Sequence, residues 1–344
     1  MYTADAETSD PRDKIFALGS FSFETGIEAL EPDYSLSAEQ IFMRATKHLL
    51  LHDQALIVLH LAGIGSPRKN RRLPSWVPHY SFEAHPTTST KVVSGLSTYK
   101  ALYSAASMYT SETPTRIKLG PLDNSLAIFG VVVDTISVTC EPLRSPKNIW
   151  DSLISESADR QRAVIAWFNE VRRLFCTDLR PIQPYRNGKD GTKFDALLQV
   201  LVAGVHEHEL SAGDYRDYSP RQGFDDFLKV LLHVSVSDPG DKLQDMSPQI
   251  LGSALGFIRA MDKLAGWTVF ETKKGYLGQG PPLVRSGDKV CVFKGGRTPF
   301  VIREFSSGMF GLFRRYSLVG ECYVEGLMHK EAAFLSGWGD IVLV

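Results

Sequence analysis

The sequence predicts an α+β protein: a helical middle region with a small antiparallel β-sheet or barrel built from the C-terminal strands and a central hairpin. Three observations lead there. Between residues 164 and 261 apolar residues recur at helical spacing. After Gly266 the pattern changes to short β-branched runs separated by glycine and proline. Earlier, two apolar β-like runs flank Asp123-Asn124, a turn-forming pair.

From the N-terminus, Asp10-Pro11-Arg12-Asp13-Lys14 reads as a helix start. Asp10 suits the cap, Pro11 the first helical position, and Asp13 the positive end of the helix dipole, so a short helix runs through Leu18. Ser37 with Gln40 three residues on forms a capping box. Ile41, Phe42, Ala45 and Leu49 then share one face of a helix ending near Leu51. Residues 66–79 carry three prolines and a basic cluster, which exclude regular structure and set a boundary near residue 80. Residues 115–119 and 126–138 form the hairpin.

The middle helices are carried by Val164, Trp167, Phe168, Val171, Leu174 and Phe175, then by Phe194, Leu197, Leu198, Leu201, Val202 and Val205. Phe224, Phe227, Leu228, Leu231 and Leu232 give a third, and Leu251, Ala254, Leu255, Ile258 and Met261 a fourth. Each has a polar opposite side, so they pack together as a bundle. The β-like runs are residues 267–271, 289–294, 300–304 and 316–325. The hairpin is expected to join them, because both need partners for their strand edges. Three parts result: 1–80, 81–265 and 266–344.

Composition sets the outer limits. Of 344 residues, 43% are hydrophobic, 22% charged and 10% aromatic, which excludes a disordered chain. Thirty-eight Lys and Arg against 39 Asp and Glu give a net charge of -1, so no global field draws the chain to nucleic acid. Cys140, Cys176, Cys291 and Cys322 form no C-x-x-C pair and read as buried free thiols. Residues 1–10 lack the features of a secretory signal, and no apolar run approaches the roughly 20 residues a membrane span needs. The expectation is a cytoplasmic protein with reduced cysteines and no membrane association.

Candidate chemistry is sparse. His206-Glu207-His208-Glu209 is the densest ligand-type cluster, but residues two apart on a helix point away from each other, and H-E-x-x-H is absent. A solvated helix end is the better reading. Gly275, Gly278 and Gly280 resemble a phosphate loop, yet Pro281 and Pro282 have no N–H to donate, so a turn between strands fits better. Neither G-x-x-x-x-G-K-[ST] nor G-x-S-x-G occurs. No catalytic residue, cofactor or metal is assigned. Arg68-Lys69-Asn70-Arg71-Arg72 reads as a solvated loop rather than a phosphate site or localisation signal. Trp76 between two prolines pins its loop to the core rather than anchoring a partner. Asp10, Arg12, Asp13 and Lys14 fit a capped helix with an ion pair.

Several segments together resemble the fungal heterokaryon-incompatibility (HET) domain proteins. Residues 10–18, Asp-Pro-Arg-Asp-Lys-Ile-Phe-Ala-Leu, resemble the last signature block of that domain, and Pro32-Asp33-Tyr34-Ser35 resembles the block next to it in the family. Leu73-Pro74-Ser75-Trp76-Val77-Pro78 is similar to a third block, and residues 130–136, Gly-Val-Val-Val-Asp-Thr-Ile, to a downstream strand. Gly275-Tyr276-Leu277-Gly278 and Gly320-Glu321-Cys322-Tyr323-Val324-Glu325-Gly326-Leu327-Met328 complete the set. The resemblance implies family-motif roles, expected to be structural, for Asp10, Pro11, Arg12, Asp13, Lys14, Pro74, Trp76, Asp134, Gly275, Tyr276, Gly278, Gly320, Glu321, Tyr323 and Gly326.

The α/β blocks that precede residues 10–18 in HET domains are not in this sequence, so the chain reads as the C-terminal portion of a family member. HET domains are similar to TIR domains, which can cleave NAD, but the residues for that chemistry belong to the missing portion. Glu325 stands where relatives often have His, and Met328-His329-Lys330-Glu331 replaces a more usual Met-Asp-Gly-Glu. Without its usual strands, the first helix is expected to expose an apolar patch at Ile15, Phe16 and Leu18. That patch would take another protein, a HET-family member among the candidates, or fold back against the rest of this chain, or mark an incomplete gene model. The implied function is a non-catalytic role in self/non-self recognition or related cell death. The alternatives are a regulatory part of a longer TIR-like NAD-cleaving enzyme and, more weakly, a nucleic-acid-binding module at residues 68–72.

Overall fold

The computed structural model describes residues 8–19, 31–51, 56–65, 72–80, 105, 116–121, 124–143, 149, 152, 158–176, 185, 191–204, 220–236, 246–262, 266–305 and 314–344. Helix α1 (Asp13–Gly19) and helix α2 (Ala38–Leu51) precede a 3₁₀ turn (Leu56–Leu61). Strands β1 (Ile117–Leu119) and β2 (Leu126–Thr139) form the hairpin, with Asn124 in the left-handed conformation its turn requires, at φ 62°. Helices α3 (Ala158–Phe175), α4 (Lys193–Leu201), α5 (Pro220–Val236) and α6 (Pro248–Asp262) come next. Strands β3 (Thr268–Thr272), β4 (Leu277–Gly280), β5 (Lys289–Phe293), β6 (Phe300–Phe305), β7 (Arg315–Glu321), β8 (Tyr323–Val324) and β9 (Gly339–Leu343) complete the chain.

The α+β class and the hairpin's place in the sheet hold, with two corrections. The sheet has nine strands among the described residues, and it is mixed, because β7 and β9 run parallel. Nor is it a clean barrel. Strand β2 is long enough to take partners in succession: β1 and then β5 along one edge, β9 and then β3 as further neighbours. One circuit closes through β2, β5, β6, β7 and β9. From the end of β2 a branch continues through β3, β4 and β8, and a bulge between Val132 and Asp134 bends the strand between its two roles. Strands β4 and β9 were not expected from the sequence, and Gly278 and Gly280 lie inside β4 rather than in a turn.

Three cores are separated by these strands. Alternate side chains of the β2/β5/β6/β7 wall enter opposite cores. Ile128, Cys291, Phe293, Phe300, Ile302 and Leu318 face the core shared with α1, α2, the 3₁₀ turn and Trp76. Val131, Val133, Val290, Val292, Val301 and Val319 face a valine-rich core with Phe270, Tyr276 and Val324. Burial on both faces explains why Lys289–Phe293 reads as a continuous apolar run. Strands β3 and β4 also bury both sides, since Trp267, Val269 and Leu277 join the core of the helical bundle. There the rings of Phe168, Phe224, Phe227 and Phe257 meet at 5.0–6.3 Å, and the bundle read from helical periodicity is present.

Helix α2 carries the expected box: Ser37 N donates to Gln40 Oε1 at 2.8 Å, and Gln40 N to Ser37 Oγ at 3.3 Å. Helix α4 has one that the sequence reading missed, built by Thr192 and Asp195. The predicted apolar patch on the first helix is corrected: Ile15 and Phe16 are 3% and 8% exposed. They pack into the core shared with α2, and the ring of Phe16 meets Tyr34 edge-on at 5.2 Å. The chain's own next segment occupies the place assigned to missing strands. The side chain of Leu18 lies outside the described residues.

Candidate functional site

The sequence blocks meet at four joints, and each joint uses side chains to hold backbone. The first is Arg12. Its Nε and Nη2 grip the carboxylate of Asp10 at 3.0 and 2.7 Å, while Nη1 donates to the carbonyls of Tyr34 and Leu36, both at 2.9 Å. Arg12 also lies over the Tyr34 ring, whose hydroxyl donates to Asp13 at 2.7 Å. A planar fork with five donors is the group that can hold a carboxylate and two carbonyls together. Hydrogen bonds from Arg12 hold the Asp10 carboxyl below its usual range, and the bond to Asp13 raises the Tyr34 hydroxyl. Asp10 accepts from Arg12 N at 2.9 Å, so it closes a turn through Pro11 ahead of the helix rather than capping the helix itself. Lys14 is buried in the same turn region.

At the second joint, Asp134 meets Gly275. Asp134 accepts from the backbone N of Lys274 at 2.6 Å, and Lys273 N donates to the carbonyl of Thr135 at 2.8 Å. Gly275 turns the chain between β3 and β4 at φ 83°, and Tyr276 N donates to Thr272 Oγ1 at 3.0 Å. Two blocks about 140 residues apart thus build one turn.

The third joint pins residues 63–77 to the sheet. Trp76 is fully buried and its indole donates to the carbonyl of Asn124 at 3.0 Å, which is the core-pinning role expected of it. Pro74 accepts from Val77 N in the same turn. Ser75 Oγ donates to the carbonyl of Val344 and accepts from Leu318 N. Ile64 N and Gly65 N donate to Leu318 and Val319, extending the strand pairing of β7. Gly320 sits at φ 154°, and a Cβ there would meet Pro281 at 2.7 Å. Glu321 is bonded to Nδ1 of His60, both nearly out of solvent at 5% and 4% exposure, with the His60 ring 5.2 Å from Phe300.

The fourth joint ties the helical bundle to β4 and β8. Tyr185 donates its hydroxyl to the carbonyl of Glu325 at 3.0 Å and accepts from Leu277 N at 3.1 Å. Tyr323 donates to the carboxylate of Glu325. Gly278 is required because a Cβ would enter the Phe270 ring and approach the Tyr323 carbonyl at 2.7 Å. Gly326, at φ 79°, turns the chain after β8. Lys330 adopts φ 70°, in the left-handed region that favours glycine.

His60 and Tyr185 were not singled out in the sequence, and Ser75 only as part of the 73–78 block. His60 and Glu321 are 261 residues apart, and no local spacing pairs them. The cluster at 206–209 and residues 68–71 lie outside the described residues. Among the described residues, no group of three His, Cys, Asp or Glu is arranged to hold a metal, and no helix is long and apolar enough to cross a membrane. Cys140, Cys291 and Cys322 are buried free thiols, as expected, with Cys176 half-buried. Burial raises all four, Cys140 to about 11.

This is a sheet-centred α+β scaffold whose recognisable residues build joints between distant segments. Residues 199–344 match the family model of the Het-6 β-barrel domain. Across 370 aligned residues the chain is 25% identical to "Heterokaryon incompatibility protein 6, OR allele" of Neurospora crassa, covering 98% of this chain and 51% of the relative. The chain therefore spans about half the length of the curated relative it matches. No solved structure matches it. Both matches support the family read from the blocks, the fungal heterokaryon-incompatibility proteins. The matched span holds β3 to β9 but not β2, which closes the circuit around β5 and β9.

Proposed function

We propose that the chain acts in fungal heterokaryon incompatibility, and that it does so through protein contacts rather than catalysis. The similarity along 98% of the chain to a heterokaryon incompatibility protein carries the first part. For the second, the support is what the block residues do. Arg12, Asp134, Trp76, Ser75 and Tyr323 each have their polar atoms engaged with backbone or a neighbouring side chain. A rigid frame that fixes surface loops suits recognition. The partner is another protein, with a HET-family member the first candidate. It would not use Ile15 and Phe16, which are buried.

Expressing this chain in fungal strains that carry different incompatibility alleles tests the role. Growth arrest confined to particular allele combinations is expected, and indifference to every combination overturns it. Incubating the purified chain with NAD and following nicotinamide release tests the mechanism: enzyme-like turnover overturns the non-catalytic reading. A second reading has the chain as a regulatory region of a longer NAD-cleaving protein. It is favoured by the alignment leaving about half of the relative uncovered.

A further inference from the structure

The valine-rich core covers only part of its face of the sheet. Along β2, Ala127, Phe129, Val131 and Val133 share that face, but Phe129 is only partly buried. Backbone bonds place two cations beside it, where β1 gives way to β5 along one edge of β2. Phe129 N donates to the Arg116 carbonyl and Lys294 N donates to the Phe129 carbonyl, both at 2.9 Å. The Arg116 guanidinium lies 5.0 Å and Lys294 Nζ 5.9 Å from the ring centroid. From the other edge of β2, Trp338 stacks on Phe129 with centroids 5.9 Å apart and planes at 25°. Lys118 and Asp340 share the same face and pair with each other at 2.5 Å. Among the described residues neither Arg116 nor Lys294 has a carboxylate partner.

We propose that Arg116, Lys294, Phe129 and Trp338 form a binding face for single-stranded nucleic acid. A base stacks on the Trp338 ring, which Phe129 backs and holds in plane, while consecutive phosphates meet Arg116 and Lys294. Charge complementarity selects this occupant: three cations and one carboxylate line the face, and the carboxylate is already neutralised by Lys118. An acidic peptide would satisfy the cations but leave the stacked aromatic plane unused, whereas a nucleic-acid strand uses both. The net charge of -1 is an average over the chain and does not describe this face.

The test is fluorescence anisotropy of the whole chain with a labelled oligothymidylate of about 12 nucleotides, over a salt series. Binding is expected to weaken at least about tenfold in Arg116→Ala/Lys294→Ala, with the log–log salt slope falling by about 1.4 as two phosphate contacts are lost. Trp338→Phe, which retains a stacking plane, is expected to keep most of the affinity. No binding by the unaltered chain at low salt overturns the proposal. So does unchanged affinity in the double variant, or equal displacement of the oligonucleotide by polyglutamate, which brings charge without bases.

Discussion

Both covers bury an apolar core against the sheet, but they differ in the polar bonds that cross to it. The N-terminal cover, α1, α2 and residues 56–77, is fixed by polar bonds across great sequence separation: His60 to Glu321, Ser75 to Leu318 and Val344, and Trp76 to Asn124. The helical cover, α3 to α6, is held by apolar and aromatic burial around Phe168, Phe224, Phe227 and Phe257, with polar contacts concentrated at Tyr185 and at the Lys193–Glu271 ion pair. Hydrogen bonds between buried groups are directional and intolerant of mismatch, whereas apolar packing tolerates small shifts. The N-terminal cover is thereby registered on the sheet, while the helical cover is sealed to it.

The largest effect is expected from removing the strand both covers share. A fragment of residues 199–344 lacks β2, leaving β5 and β9 with open edges, and is expected to aggregate rather than give a cooperative monomeric transition. Co-expressed residues 116–143 should restore a soluble complex, as read by gel filtration. Next, Glu321→Ala and Phe257→Ala should each cost about 3–5 kcal/mol in denaturant unfolding, the first by leaving a buried imidazole without its partner and the second by opening a cavity. The double change His60→Leu/Glu321→Leu should regain most of the first loss. Should it not, the N-terminal cover is held by packing alone and the contrast fails.

Alkaline titration sharpens the same comparison. Burial pushes Tyr80, packed on the N-terminal cover, to about 12 and Cys140, on the bundle side, to about 11, from ordinary values of 10.0 and 9.0. Both sites favour the neutral form, so their stabilisation is complete below the ordinary values and is lost as pH rises toward the raised ones. Circular dichroism should therefore report weakening from about pH 9 on both sides, since burial also raises the Cys291 thiol in the core beneath the N-terminal cover, with Tyr80 adding to the loss there from about pH 10. The smallest change is Lys330→Gly, which relieves a left-handed lysine and should raise the unfolding free energy by about 1 kcal/mol or less.

Legibility in the sequence divides along the same line. Helices α3 to α6 each bury one face, so Val164, Val171 and Phe175, or Ala254, Ile258 and Met261, announce themselves by spacing. Strand β4 does not, because Leu277–Gly280 is half glycine, kept small by the Phe270 ring on which it lies. The family blocks held residues of all four joints, but not which residues of different blocks would meet. Nothing local to Glu321 points to His60, and nothing local to Asp134 points to the amide of Lys274. The expected patch at Ile15 and Phe16 failed for a related reason. An apolar helix face shows that something covers it, not which segment does, and here α2 and Tyr34 do.

The pairing of β9 with both β2 and β7 also sets a timetable. Of the strands in that circuit, β9 is synthesised last, some 200 residues after β2. Until residues 339–343 leave the ribosome, the nascent sheet has two raw edges and an uncovered apolar wall. A chain interrupted before residues 339–343 would carry the preceding strands yet remain open in topology. Such a product is a natural client for chaperones and for degradation, so closure of this circuit rests on a five-residue strand.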